Sequence, residues 1–220
     1  MYALLRSLLL ICAREMGVAS RLLSVLPSSS KVPVATWREE YVDGDWSRLH
    51  QIGELGHYSV IAGYFGRFKP GGSILDVACG EGILQRHLKP HRYSRYLGID
   101  YIPEAISAAS GSKDATTDFA LADAVDFATE QKFDVIIFNE CLYYFDDPLG
   151  VVQRYSDFLE IGGMFIISNY SSLSNLNMIR SIRQALTVDD EVSIINRDGI
   201  SWTVQLARPQ RAASAHLEAA

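Results

Sequence analysis

The sequence predicts an α/β fold: a doubly wound, mostly parallel seven-stranded sheet with a C-terminal antiparallel hairpin and an N-terminal helical segment. Three observations predict it. From Gly71 onward, short continuous apolar runs alternate with helical stretches, the pattern of strands buried on both faces. Glycine and proline punctuate the changes of period. Two late strand-like runs flank Arg197-Asp198-Gly199, a hairpin signal.

Taken in order, Ser73–Ala78 is an apolar run opened by Gly71-Gly72 and closed by Gly80, and reads as a buried strand. Glu81–Lys89 follows as a helix stopped by Pro90. Arg95–Asp100 is the second strand. Pro103–Ala109 is a helix with proline near its start, where a missing N–H costs little. Asp118–Ala122 and Phe133–Phe138 are the third and fourth strands. Pro148–Leu159 is a helix, and Gly163–Ser168 the fifth strand. Leu173–Leu186 carries Leu173, Leu176, Ile179, Ile182 and Leu186 at helical spacing. Runs at Glu191–Asn196 and Ser201–Leu206 close the sheet. In such sheets ligands bind beyond the carboxyl ends of the strands.

The organisation is fourfold. Residues 1–30 form an amphipathic helix and a Ser-rich linker, and 31–70 an aromatic, helical lid or substrate-side segment. Residues 71–206 form the core and 207–220 a disordered tail. Within residues 3–26, Leu4, Leu8, Ile11, Leu22 and Leu26 share one helical face, opposite Arg6, Arg14 and Arg21. Such a face docks onto the core, a second subunit in a homodimer, or a membrane surface as a peripheral contact. The apolar stretch from Leu8 to Cys12 is far short of a membrane span.

Composition removes several classes. With 48% apolar and 21% charged residues the chain is globular. Three scattered cysteines, Cys12, Cys79 and Cys141, exclude a disulfide framework and a cysteine-rich zinc site, and suit a reducing cytoplasm. A net charge of −6 suits no phosphate backbone, so no nucleic-acid partner is expected. His87 and His91 are four apart but interrupted by Pro90, and no metal is expected.

Chemistry gathers at the strand ends. Ile74–Gly82 runs a strand into a loop with two glycines one residue apart, then into a helix. Glycine permits the sharp turn and a close ligand approach, and the helix start offers free N–H groups. A P-loop would need Gly-Lys-Ser/Thr, and a dinucleotide fingerprint a glycine where Gln85 stands. The second strand ends in Asp100, suited to accept two ribose hydroxyls. Asp123 ends the third, and Asn139-Glu140 the fourth, before Tyr143 and Tyr144. Four polar strand ends aimed at one rim point to function.

These motifs resemble those of the class I S-adenosylmethionine-dependent methyltransferases, the seven-stranded Rossmann-like family. ILDVACGEG resembles its glycine-rich first motif, LGIDYIPEAI its second and FALADAVDF its third; FDVIIFNECLYYFDDP and GGMFIIS resemble the fourth and fifth. The match covers roughly residues 71–206. Ala78 stands where the family often has glycine. Tyr143-Tyr144 departs from the ubiquinone-type C-methyltransferases and is closer to small-molecule and sugar-directed N- or O-methyltransferases, including the rhizobial nodulation type.

The resemblance implies S-adenosylmethionine as cofactor and S-adenosylhomocysteine as product. It implies that Gly80, Gly82 and their neighbours Ala78 and Cys79 meet the methionine part, with Asp76 positioning the loop or the amino group. Asp100 would hold the ribose, Tyr101 and Ile102 pack on adenine, and Asp123 accept from the adenine amino group beside Ala124. Asn139 completes the cofactor set. The reaction expected is methyl transfer to an oxygen or nitrogen of a small-molecule acceptor, with Glu140, Tyr144 or His57 as base where the acceptor keeps a proton. Two rivals are a non-catalytic accessory or regulatory cofactor-binding protein and an aminopropyltransferase-like enzyme.

Overall fold

The computed structural model describes residues 38–41 and 45–210. The expected helix at 3–26, its linker and residues 211–220 of the tail lie outside the described residues. Among the described residues no helix is long and apolar enough to cross a membrane.

The strands are β1 Ser73–Val77, β2 Arg95–Asp100, β3 Thr117–Leu121, β4 Phe133–Asn139, β5 Leu159–Tyr170, β6 Leu186–Ile195 and β7 Ser201–Pro209. The α-helices are α1 Leu55–Phe68, α2 Ile83–Leu88, α3 Pro103–Ala109, α4 Pro148–Tyr155 and α5 Leu176–Ala185. The seven strands form one sheet in the order β3-β2-β1-β4-β5-β7-β6. Neighbours are parallel from β3 to β5, and β7 runs antiparallel to both β5 and β6. The sheet is thus the mostly parallel Rossmann-like one expected.

Alternation within each apolar strand feeds two cores. Val135 and Ile137 of β4 join Ile61 and Phe65 of α1 and Leu84 and Leu88 of α2 on one face. Ile136 and Phe138 join Val152 and Tyr155 of α4 and Ile182 of α5 on the other. Because both faces are covered, both sets of side chains must be apolar.

Several boundaries differ from the sequence reading. Leu186 opens β6 rather than closing α5, and β6 starts five residues before Glu191. Helix α5 begins at Leu176, leaving Leu173 exposed. The strand around 163–168 extends to Leu159–Tyr170, so α4 ends at Tyr155 followed by a 3-10 turn. At the C-terminus, β7 continues to Pro209, because Ala207, Arg208 and Pro209 pair with Val188, Thr187 and Leu186. Those three residues belong to the sheet, not to a disordered tail. The closing hairpin adds the expected antiparallel edge, with β7 beside β5 and β6 outermost.

Within the segment 31–70, Asp45–His50 and Ile52–Glu54 are 3-10 turns. Helix α1 is built into the core, with Ile61 and Phe65 wholly buried. Its start and the turns before it border the rim where the parallel strands end.

Candidate active site

The strand order reverses beside β1, which is where open α/β sheets leave a crevice. A cavity of about 830 Å³ occupies that position. Its wall follows the strand ends across the sheet: Asp123 after β3, Asp100 on β2, Gly80 after β1, Glu140 after β4 and Tyr170 on β5. Trp202, at the start of β7, completes it, because an antiparallel strand brings its amino end to the rim where its neighbours finish.

The loop after β1 is shaped by left-handed backbone at three positions. Ala78 has φ 55°, Gly80 φ 55° and Gly82 φ 74°. Ala78 therefore occupies a conformation that costs an L-residue roughly 1–2 kcal/mol and that glycine adopts freely. A Cβ on Gly80 would stand 3.0 Å from the Tyr41 hydroxyl, so the bare backbone lets Tyr41 close over the loop. Gly82 does not reach the cavity wall. It turns the chain into α2, and a Cβ there would meet Phe119 at 3.0 Å, so its role is packing.

Asp100 fastens this loop. One carboxylate oxygen accepts from Gly80 N and the other from Ile102 N, both at 2.9 Å. A backbone bond from Tyr101 also pulls on the carboxylate, which as a two-oxygen acceptor can still take a further donor. Burial raises its pKa, against the pull of those backbone bonds. Tyr101, Ile102, Asp123 and Ala124 line the same end of the cavity. Asp123 accepts from Val125 N at 2.8 Å through one oxygen, which holds its own loop.

Asp76 is nearly inaccessible, yet only half satisfied. Oδ2 accepts from the Tyr96 hydroxyl at 2.5 Å, while Oδ1 is buried on the cavity wall without a hydrogen-bond partner. Burial pushes its pKa up to about 7; the Tyr96 bond opposes the shift and the nearby Asp100 adds to it. An orphaned carboxylate oxygen in a cavity fits a cationic partner. The shift also makes stability pH-dependent. Between about 4 and 7 the folded chain holds a proton that the unfolded chain has released, so ligand-free stability falls as pH rises through that window. Thermal melts of the ligand-free Asp76→Asn variant should lose less stability over that window than the parent. An unchanged pH slope would show that Asp76 ionises normally in the fold.

Glu140 follows β4 with φ 58°, a left-handed conformation that its backbone N–H bond to Ser168 O, 3.0 Å, holds in place. Its Oε1 accepts from Ser168 Oγ at 2.8 Å and its Oε2 from the Tyr143 hydroxyl at 3.2 Å. Burial raises its pKa to about 7 despite those two donors, and the Glu54 charge raises it further. A carboxyl poised near neutrality can take a proton and hold it. Cys79 and Cys141 are on the wall, but burial beside Asp76 pushes both thiols up, away from the nucleophilic form.

A methyltransferase-domain family model matches residues 50–207 of this chain. The chain belongs to that family. Its class is that of the S-adenosylmethionine-dependent class I enzymes, as the motif resemblance implied. Among curated relatives, the ubiquinone biosynthesis O-methyltransferase of Xanthomonas campestris pv. campestris is 30% identical over 104 residues, 45% of this chain and 43% of that protein. Nodulation protein S of Rhizobium tropici is 35% identical over 80 residues, 36% of this chain and 33% of that protein. The chain thus spans less than half the length of these relatives. The crystal structure of the N-methyltransferase NodS from Bradyrhizobium japonicum WM9 with S-adenosylhomocysteine superposes with a TM-score of 0.68 at 20% identity, covering 80% of this chain and 98% of that one.

The wall residues fit S-adenosylmethionine. Asp76 Oδ1 lacks a donor, Asp100 can take a further one, and the Gly80 backbone is bare on the cavity side. Of the positions named from sequence, Asp76, Ala78, Cys79, Gly80, Asp100, Tyr101, Ile102, Asp123, Ala124, Asn139, Glu140 and Tyr144 all border the cavity. Gly82 and His57 do not. His57 is wholly buried behind the wall, between Tyr58 at 4.1 Å and Trp202 at 4.9 Å between ring centroids. Burial lowers its pKa to about 3, leaving it neutral and out of reach as a base. Sequence reasoning missed Glu54, Tyr170 and Trp202 as wall residues, whereas Tyr41 comes from the aromatic 31–70 segment and Tyr143 from the loop after the fourth strand, both singled out from sequence. For Tyr170 and Trp202 the strand-end rule applied to the last strands would have found them; for Glu54 no local signal exists.

Proposed function

We propose that the chain transfers a methyl group from S-adenosylmethionine to an oxygen or nitrogen of a small molecule, with Glu140 as general base. When bound, the cofactor supplies an electrophilic methyl carried by a sulfonium, which needs alignment more than activation. Asp76 Oδ1 accepts from the ammonium of its methionine part, next to the Ala78–Gly80 backbone. Asp100 would hold the ribose hydroxyls, Asp123 would accept from the adenine amino group, and Tyr101 and Ile102 would pack on the ring. Asn139 borders the methionine half. The acceptor then occupies the β4–β5–β7 end, among Glu140, Tyr143, Tyr144, Tyr170 and Trp202.

The observation that carries this reading is the division of one cavity between two carboxylate environments. Asp76 and Asp100 are set for a cation and a sugar, and Glu140 stands apart from them after the next strand. The S-adenosylhomocysteine in the NodS structure supports the first half. The test is calorimetry with S-adenosylmethionine and S-adenosylhomocysteine, then labelled-methyl transfer to sugar, phenol and amine acceptors. Micromolar cofactor binding with transfer to at least one acceptor is expected. Cofactor binding with transfer to none would favour the accessory role instead.

A further inference from the structure

Acids crowd the cavity wall. Among the described residues it carries six acidic side chains, Glu54, Asp76, Glu81, Asp100, Asp123 and Glu140, against one basic side chain, Arg48. Three of the acids belong to the cofactor half, and Glu81 is paired with His50. Glu54 and Glu140 remain, one from the turn before α1 and one after β4, near enough that the charge on Glu54 pushes the Glu140 carboxyl up.

Glu54 is mostly buried, and among the described residues its nearest basic groups are Arg48 and His57. Arg48 stands 3.9 Å away with most of its side chain in solvent. His57 Nδ1 faces Glu54 Oε2 from 3.8 Å, and neither ring nitrogen of this wholly buried histidine has a hydrogen-bond partner. Held neutral by burial, His57 supplies no counter-charge. Among the described residues the carboxylate thus has only a long ion pair to the solvent-exposed Arg48, which leaves its burial largely uncompensated unless a ligand brings a cation.

We propose that Glu54 and Glu140 together form a seat for an amine-bearing acceptor, which makes the reaction N-methylation. This rests on the methyl-transfer reading above. The acceptor enters as an ammonium between the two carboxylates, on a wall that also carries the aromatic rings of Tyr58, Tyr144 and Trp202. It gives one proton to Glu140, and the freed nitrogen lone pair forms the bond to the methyl carbon. The carbon–sulfur electron pair stays on sulfur, leaving a neutral thioether and a methylated ammonium. Positive charge thus moves from sulfur to nitrogen, and two carboxylates beside the nitrogen stabilise its arrival. A phenol would instead pass through an anion, which a second carboxylate repels.

Calorimetry on the full chain saturated with S-adenosylhomocysteine tests this, using tyramine, 4-ethylphenol and 4-hydroxyphenylacetate as cationic, neutral and anionic probes of similar ring size. Tyramine should bind about tenfold or more tighter than 4-ethylphenol, and the anion weakest. Glu54→Gln should lower that amine preference about tenfold while S-adenosylhomocysteine affinity holds. Equal or stronger binding of the neutral or anionic probe, no binding of tyramine, or an unchanged preference in E54Q overturns the proposal. Should E54Q fail to fold, the ranking on the parent protein decides alone. Failure of the parent to bind S-adenosylhomocysteine overturns the methyltransferase reading itself, whereas binding with a phenol preferred overturns the amine seat only.

Discussion

Glu140→Gln lowers turnover by about 10²- to 10⁴-fold while leaving S-adenosylhomocysteine affinity nearly unchanged, the range expected for loss of a general base. The glutamine keeps the size of the side chain and can still accept from Ser168 or Tyr143, so the wall keeps its shape. It cannot take a proton. The effect falls on turnover because Glu140 stands after β4, away from the Asp76 and Asp100 contacts that the cofactor would use. The pH profile gives an independent reading. A base must be ionised to act, and burial places this carboxyl at about 7. The rate of the parent protein therefore rises with pH through that region and levels off above it, and E140Q lacks the rise. Parallel losses of rate and cofactor affinity would instead mean that Glu140 only shapes the wall.

Asp100→Ala weakens S-adenosylmethionine and S-adenosylhomocysteine binding by tenfold or more, since losing a charged acceptor costs about 1.5–3 kcal/mol. Two effects combine: loss of the bonds to the ribose, and loss of the tether to Gly80 N and Ile102 N. Asn does not rescue it well. Both oxygens of Asp100 face N–H donors, so the amide nitrogen of Asp100→Asn would oppose one of them. The 2′-deoxy analogue of S-adenosylhomocysteine separates the two effects. The parent protein should discriminate against the analogue, and D100A should not. Unchanged affinity in D100A would remove Asp100 from the cofactor site, and discrimination retained in D100A would leave it as a loop tether only.

Legibility tracked sequence distance. Each strand from Ser73 to Phe138 was readable because it is a short apolar run with turn residues on both sides, and Asp76, Gly80, Asp100, Asp123 and Glu140 follow from where those runs end. Boundaries slipped where local period was ambiguous. Leu186 fits the helical spacing of Ile179 and Ile182, yet pairing with Pro209 assigns it to β6. Gly82 looked like a ligand glycine because it follows Gly80 by two residues; only the approach of Phe119 from β3 shows that it serves packing.

The sequence by itself determined the sheet, its dominant direction and the cofactor rim, because periodicity, turn residues and strand-end acids are local properties of the chain. Tertiary structure decided what joins Glu140 and Tyr144 at the proposed acceptor end. There, Glu54 from the turn before α1 comes near Glu140, Trp202 arrives on an antiparallel strand, and His57 is sealed behind the wall rather than exposed in it. Glu54 and Glu140, and likewise His57 and the Trp202 ring stacked on it, are far apart in sequence. Burial, which sets the protonation of Asp76, Glu140 and His57, depends on what the whole fold lays over a side chain and not on its neighbours in sequence.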